Sequence, residues 1–178
     1  MRSLIVGLTA ILISTVSVAE DRSSEHAKKT LEIYKTIIEV DTSKNRGNTP
    51  KVAQYLADEL LAAGFPPEDI EVVPKPPFAA LVARYRGALG SKKKPILLLG
   101  HMDVVEANAE DWERPPFTLT QDDNYFYARG ADDNKFGIAQ LTSTFIRLKK
   151  EGFLPNRDLI IAFTGDEESG MTTTRMLA

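Results

Sequence analysis

Apolar residues recur at helical spacing in the first part of the chain, then give way to short unbroken runs. From Ser23 to Val40, the positions Leu31, Tyr34, Ile37 and Ile38 mark one face of an amphipathic helix. Ser24 is placed to cap it, with Glu25 near its positive end. Asp41 to Pro50 is polar, includes Gly47 and reads as a loop. Thr49 and Pro50 open a second helix, because proline is tolerated in a first turn. Its apolar stripe is Val52, Tyr55, Leu56, Leu60 and Leu61, and Gly64 ends it.

Ile70 to Val73 and Ala79 to Tyr85 predict two short strands, separated by the proline-rich stretch Pro74 to Pro77. Gly87 to Lys94 predicts a turn. Pro95 to Leu99 is a continuous apolar run, as expected of a strand buried on both faces, and Leu159 to Phe163 repeats the pattern. Tyr125 to Ala128 is a further short strand. Asn134 to Lys150 predicts a helix with Ile138, Leu141, Phe145 and Leu148 inward, stopped by Gly152. Thr172 to Ala178 begins another helix. Helices alternating with buried strands predict an α/β domain with a mixed, largely parallel sheet flanked by helices.

Composition narrows the function. Of 178 residues, 43% are hydrophobic and 26% charged, which suits a folded domain rather than a disordered chain. The net charge is -3, and the longest basic run is Lys92-Lys93-Lys94, so no nucleic-acid partner is expected. There are no cysteines, which excludes disulfides, thiolate metal sites and a cysteine nucleophile. With only His26 and His101 present, a metal site must lean on carboxylates or borrow histidine from outside this chain.

The first residues bear on location. Arg2 supplies a positive start, Ser3 to Val18 is uncharged and apolar, and Ser17-Val18-Ala19 places small residues where a signal peptidase reads. Residues 1–19 therefore read as a secretory signal peptide and 20–178 as the mature stretch. Export to a periplasmic or extracellular space is expected, with no stable membrane association after cleavage. The competing reading is an uncleaved anchor, for which the apolar run is slightly short.

Three polar clusters follow predicted strands, where α/β sheets place their ligands. In Gly100-His101-Met102-Asp103, His101 and Asp103 lie two apart and can face one cleft. A ligating histidine commonly gives its other ring N–H to a carboxylate, and Asp103 is placed for it; taken alone, the pair reads more simply as a hydrogen-bonded structural histidine. In Arg129-Gly130-Ala131-Asp132-Asp133-Asn134-Lys135, an aspartate could merely cap the next helix, yet two adjacent aspartates exceed that need, and a carboxylate can bridge two zinc ions. Asp166-Glu167-Glu168 could be solvated charge at a sheet end. Beside a metal, one carboxylate can ligate while its neighbour serves as base for activated water.

Taken in order, these stretches resemble the zinc-dependent family of aminoacylase, succinyl-diaminopimelate desuccinylase, glutamate carboxypeptidase and related dipeptidases. The matching residues are Gly100 to Val105, Trp112 with Pro115-Pro116-Phe117, Arg129 to Lys135, and Asp166 to Gly170. The resemblance implies that His101 binds one zinc, Asp133 bridges two, and Glu168 binds the other. It implies Glu167 as general base and acid, Asp103 as the residue orienting His101, Asp132 as a neighbour, and a cis peptide at Asp133–Asn134. Glu106 stands where proline is common, and Phe136 separates Lys135 from Gly137 where glycine usually follows the lysine. The family has a further carboxylate ligand, a late histidine ligand and an inserted domain used for dimerisation and for covering substrate. None of these has a counterpart here, so the resemblance implies that residues 20–178 are the N-terminal part of the zinc hydrolase catalytic domain, and His26 reads as ordinary surface.

The expected activity is hydrolysis of amide bonds in small peptides or N-acyl amino acids. The alternatives are a catalytically inactive fragment of such an enzyme, holding at most one metal weakly, and an exported binding module with an acidic cleft. A homodimer is expected only with the inserted domain.

Overall fold

The structure, a computed structural model, describes residues 15–178, with side chains from Glu25 onward. Most of the expected signal peptide, including Arg2, lies outside the described residues. Helix α1 runs over Thr15–Ile38. Ser24 thus lies within the helix and not at its cap. The inward face of α1 is Ile33, Tyr34, Ile37 and Ile38, with Thr30 beside them, while Leu31 is 42% exposed. Thr30 takes the inward place because its hydroxyl meets Ser143 Oγ at 2.8 Å. Helix α2 (Thr49–Ala62) buries Val52, Ala53, Leu56, Ala57 and Leu60 and leaves Leu61 outside. Alanines complete its packed stripe, a detail that larger apolar residues alone did not mark.

Strands β1 (Ile70–Lys75) and β2 (Phe78–Tyr85) form an antiparallel hairpin, so Pro74 and Lys75 belong to the strand rather than to the linker. Proline is tolerated on such an edge strand. Strand β3 (Ile96–His101) is followed by a small hairpin of β4 (Thr120–Asp122) and β5 (Tyr125–Tyr127). Helix α3 (Gly137–Lys150) starts three residues later than the pattern predicts, because an irregular π-type turn occupies Ala131–Phe136. Strand β6 (Leu159–Thr164) and helix α4 (Thr172–Leu177) close the described residues.

The main sheet has the order β1-β2-β6-β3. It is mixed, as expected, but only β3 and β6 run parallel; β1–β2 and β2–β6 are antiparallel. The tight β1–β2 connection imposes the first reversal. One face packs Leu81, Ala83, Tyr85, Ile161 and Phe163 against the helices, in one core with Ile33, Ile37, Leu56, Leu60, Ile138 and Phe145. Strand β6 is central and buried. Strand β3 is not buried on both faces: Leu97 and Leu99 are 56% and 68% exposed. It is an edge strand, and among the described residues α1, α2 and α3 lie on the core side alone. No described helix is long and apolar enough to cross a membrane.

Candidate metal centre

The parallel pair β3–β6 brings two polar turns together at its carboxyl end, where His101 stands opposite Thr164. Met102 continues the pairing by donating its N–H to Thr164 O (2.8 Å). From behind, Thr42 donates its hydroxyl to Met102 O (2.8 Å), and Ser43 bridges to Val104. Gly100 lies beneath the site because a Cβ there would approach Ile138 Cγ2 to 2.7 Å and Asn134 Oδ1 to 2.8 Å.

His101 is nearly buried. Its Nδ1 lies 3.1 Å from Asp103 O and 3.5 Å from Asp103 Oδ1, and its Nε2 lies 2.8 Å from Asp133 Oδ1. Burial opposes a charge on the ring, but the two aspartates prevail and raise its pKa to about 9. Asp103 is buried, and its two carboxylate oxygens accept the backbone N–H groups of Glu167 and Glu168, each at 3.0 Å.

The acidic turn after β6 divides its three carboxylates. Asp166 turns fully inward and accepts from the amides of Thr172 (2.7 Å) and Thr173 (2.8 Å) and from both hydroxyls. Glu167 and Glu168 face outward. The carboxyl of Glu168 is held above its usual range by burial first and by Asp133, with His101 opposing. Gly165 is required because any Cβ would run into Ala79 O.

The third cluster forms the turn before α3. Gly130 has φ 73° and presses against Val104, two reasons for glycine at one position. The peptide Asp133–Asn134 is cis, as the resemblance implied. Asp133 and Asn134 leave helical geometry, which sends the exposed Asp133 carboxylate to His101 while Asn134 Oδ1 receives His101 N–H at 3.4 Å. Lys135 is fully buried and donates from Nζ to Val40 O (2.7 Å), tying this turn to the end of α1. Burial lowers its pKa to about 7 against the opposing fields of Asp41 and Asp103.

His101, Glu167 and Glu168 therefore offer ligand atoms within 4.8 Å of one another, and Asp133 joins them through His101. One imidazole and several carboxylates form a nitrogen–oxygen donor set that fits zinc. All five expected residues meet here, and each glutamate places a carboxylate oxygen within 4.8 Å of a His101 ring nitrogen. His26 does not take part; it lines a surface groove between α1 and α3 with Lys29 and Arg147. Sequence reasoning gave no role to Asn134, Lys135, Thr42 or the Thr172–Thr173 pair. Lys135 was visible only as a motif letter, since hydropathy does not mark a buried lysine. The two departures from the family pattern have local partners: Glu106 Oε1 accepts Asn45 N–H (3.1 Å), and the Phe136 ring meets Tyr34 edge-on at 5.8 Å.

Residues 97–178 match the model of peptidase family M20/M25/M40. The chain is 32% identical over 152 residues to a probable succinyl-diaminopimelate desuccinylase of Staphylococcus aureus, covering 85% of this chain and 35% of that protein. It is 40% identical over 122 residues to a probable carboxypeptidase S-like 2 of Dictyostelium discoideum, covering 68% and 20%. Human carnosine dipeptidase 1 shares the fold at a TM-score of 0.74 and 20% identity, over 90% of this chain and 36% of that structure. The chain thus spans about a third of the length of the first of these relatives. With its motifs gathered at one sheet end and these similarities along most of its length, the chain is similar to members of peptidase family M20/M25/M40, whose model its residues 97–178 match.

Proposed function

We propose that the chain carries part of the active site of a zinc-dependent hydrolase that cleaves amide bonds in small peptides or N-acyl amino acids. The observation that supports this reading most is the convergence of His101, Glu167 and Glu168 within 4.8 Å, with Asp133 on His101 Nε2. His101, Asp133 and Glu168 would hold zinc, two ions when the donor set is complete. Bound there, zinc supplies Lewis acidity, which polarises a carbonyl and acidifies water. Glu167 takes one proton from the attacking water and returns it to the nitrogen of the breaking C–N bond. Asp103 holds His101 in the required orientation. The relatives named a desuccinylase and a carnosine dipeptidase support small peptide or acyl amino acid substrates.

One imidazole and three carboxylates are few donors for two zinc ions. We therefore expect the 178-residue chain to hold zinc weakly and not to turn over substrate. Export of the protein is part of the same proposal, supported by the uncharged stretch Ser3 to Val18 and the small residues Ser17 and Ala19. A mature N-terminus determined from exported protein at Glu20 would support it, and an intact Met1 there would refute cleavage.

The test is calorimetric zinc titration combined with single substitutions. His101→Ala should abolish measurable binding, and Glu167→Gln should retain it. In any longer form that hydrolyses dipeptides or N-acyl amino acids, Glu167→Gln should lower turnover by roughly 10²–10⁴-fold. Zinc binding unchanged by His101→Ala would remove His101 from the site, and turnover unchanged by Glu167→Gln would remove the proposed base.

A further inference from the structure

We infer that Asp103 is a two-sided positioning residue: its carboxylate fixes the Glu167–Glu168 turn directly, as well as standing behind His101. The inference rests on the reading of this cluster as a zinc site and adds to it a function for Asp103 that does not pass through the histidine. Asp103 lies just past β3, whereas the glutamates follow β6. Its side chain is nearly inaccessible, and both oxygens are committed: Oδ1 accepts Glu167 N–H and Oδ2 accepts Glu168 N–H, each at 3.0 Å. The carboxylate is the farther acceptor for the ring, since Nδ1 is 3.5 Å from Oδ1 but 3.1 Å from the Asp103 carbonyl. The main chain of Asp103 thus supplies the closer contact to His101, and its side chain gives its two short hydrogen bonds to the acidic turn.

That arrangement has a physical reason. Glu167 and Glu168 are adjacent like charges, and they follow Asp166, which is fixed by Thr172 and Thr173. Without a second anchor, repulsion would swing the exposed pair apart. Two N–H groups aimed at one buried carboxylate lock the turn at the point where the two side chains leave it, and such charge-assisted bonds are the strong kind. Asparagine cannot substitute. It presents one carbonyl oxygen and one NH2, so one of the two amide N–H groups would face another donor.

The experiment uses the metal-free 178-residue chain first. In the unsubstituted protein, NMR should detect scalar couplings across the hydrogen bonds from the Glu167 and Glu168 amide nitrogens to the Asp103 carboxyl carbon. Their absence overturns the inference without any variant having to fold. Next, amide exchange is compared among variants that retain the far-UV circular dichroism of the parent. Asp103→Asn should lower protection of the Glu167 and Glu168 amides by at least about tenfold, while His101→Ala should leave both protected. Unchanged protection in Asp103→Asn, or equal loss in His101→Ala, would mean that Asp103 acts only through the ring. Finally, zinc is titrated into Glu167→Gln and into Glu167→Gln carrying Asp103→Asn. The added change should weaken zinc by roughly 10–100-fold, and an unchanged dissociation constant would overturn the inference. Should the parent chain bind no zinc at all, the functional reading fails, and the couplings and exchange decide the positioning role by themselves.

Discussion

Asp166 is a carboxylate whose environment pulls in two directions. Burial alone would raise its pKa, but two hydroxyls and two backbone amides from Thr172 and Thr173 outweigh burial and hold it below the ordinary carboxylate range. The sign follows from linkage. A group whose folded pKa is depressed contributes stability that is present above its unfolded pKa, and that stability is lost as pH falls through the folded value. Asp166→Asn should therefore lower stability at neutral pH and flatten the acid limb of a denaturation series below about pH 4, where the parent loses this contribution. An acid limb identical to that of the parent would show that Asp166 does not carry the term. At Gly130 the constraint is steric: φ is 73°, and a methyl group would collide with Val104. Gly130→Ala should destabilise by about 1–3 kcal/mol in chemical denaturation, with weaker zinc binding as Asp133 shifts. No loss of stability would show that the turn relaxes freely.

Among the elements, what the sequence revealed and what it hid have separable causes. Strands β3 and β6 were legible because unbroken Ile and Leu runs leave few alternatives, and the histidine and acidic clusters were legible because they stand at the carboxyl ends of those runs. Strand β4 was hidden because Thr120–Asp122 is polar and held by pairing with β5 rather than by burial. The start of α3 was misplaced because the turn at Ala131–Phe136 departs from helical geometry at Asp133 and Asn134, and no periodicity encodes that departure. The face of α1 was legible only in part. Leu31 fits the apolar stripe by type, yet Thr30 occupies the inward place through its bond to Ser143 while Ile33 is fully buried. This assignment is checkable: Leu31→Gln should change unfolding free energy by no more than about 0.5 kcal/mol. Ile33→Ala should cost roughly 2–5 kcal/mol, the usual loss for emptying a packed core site. The opposite ranking would mean that α1 is rotated about its axis.

At the scale of the whole molecule, the outer face of the sheet is open at its β3 edge among the described residues, while Ala80 and Ala162 on the same face are buried. Leu97 and Leu99 share a face with their neighbours Ile160 and Ala162, and both leucines are largely exposed on the edge strand. An exposed apolar edge is a template for pairing with another chain, and protein edges normally carry charge, a bulge or a covering element there. The same strand delivers His101 at its carboxyl end, so the exposed face and the metal centre share a backbone but use different residues. Two consequences follow. The purified 178-residue chain should self-associate at micromolar concentrations and bind a hydrophobic dye. Leu97→Lys with Leu99→Lys should shift it toward monomer in light scattering and lower dye binding, with little loss of folding stability, because neither leucine lies in the packed core. Zinc affinity should change less than about twofold, since the substituted side chains do not contact the ligand group and the added charges are solvated. A stable monomer in the parent chain would show that this face tolerates water. A large drop in zinc affinity in the double variant would show that β3 transmits surface changes to His101, and the division of one strand into a solvent-facing part and a metal-facing part would then have to be abandoned.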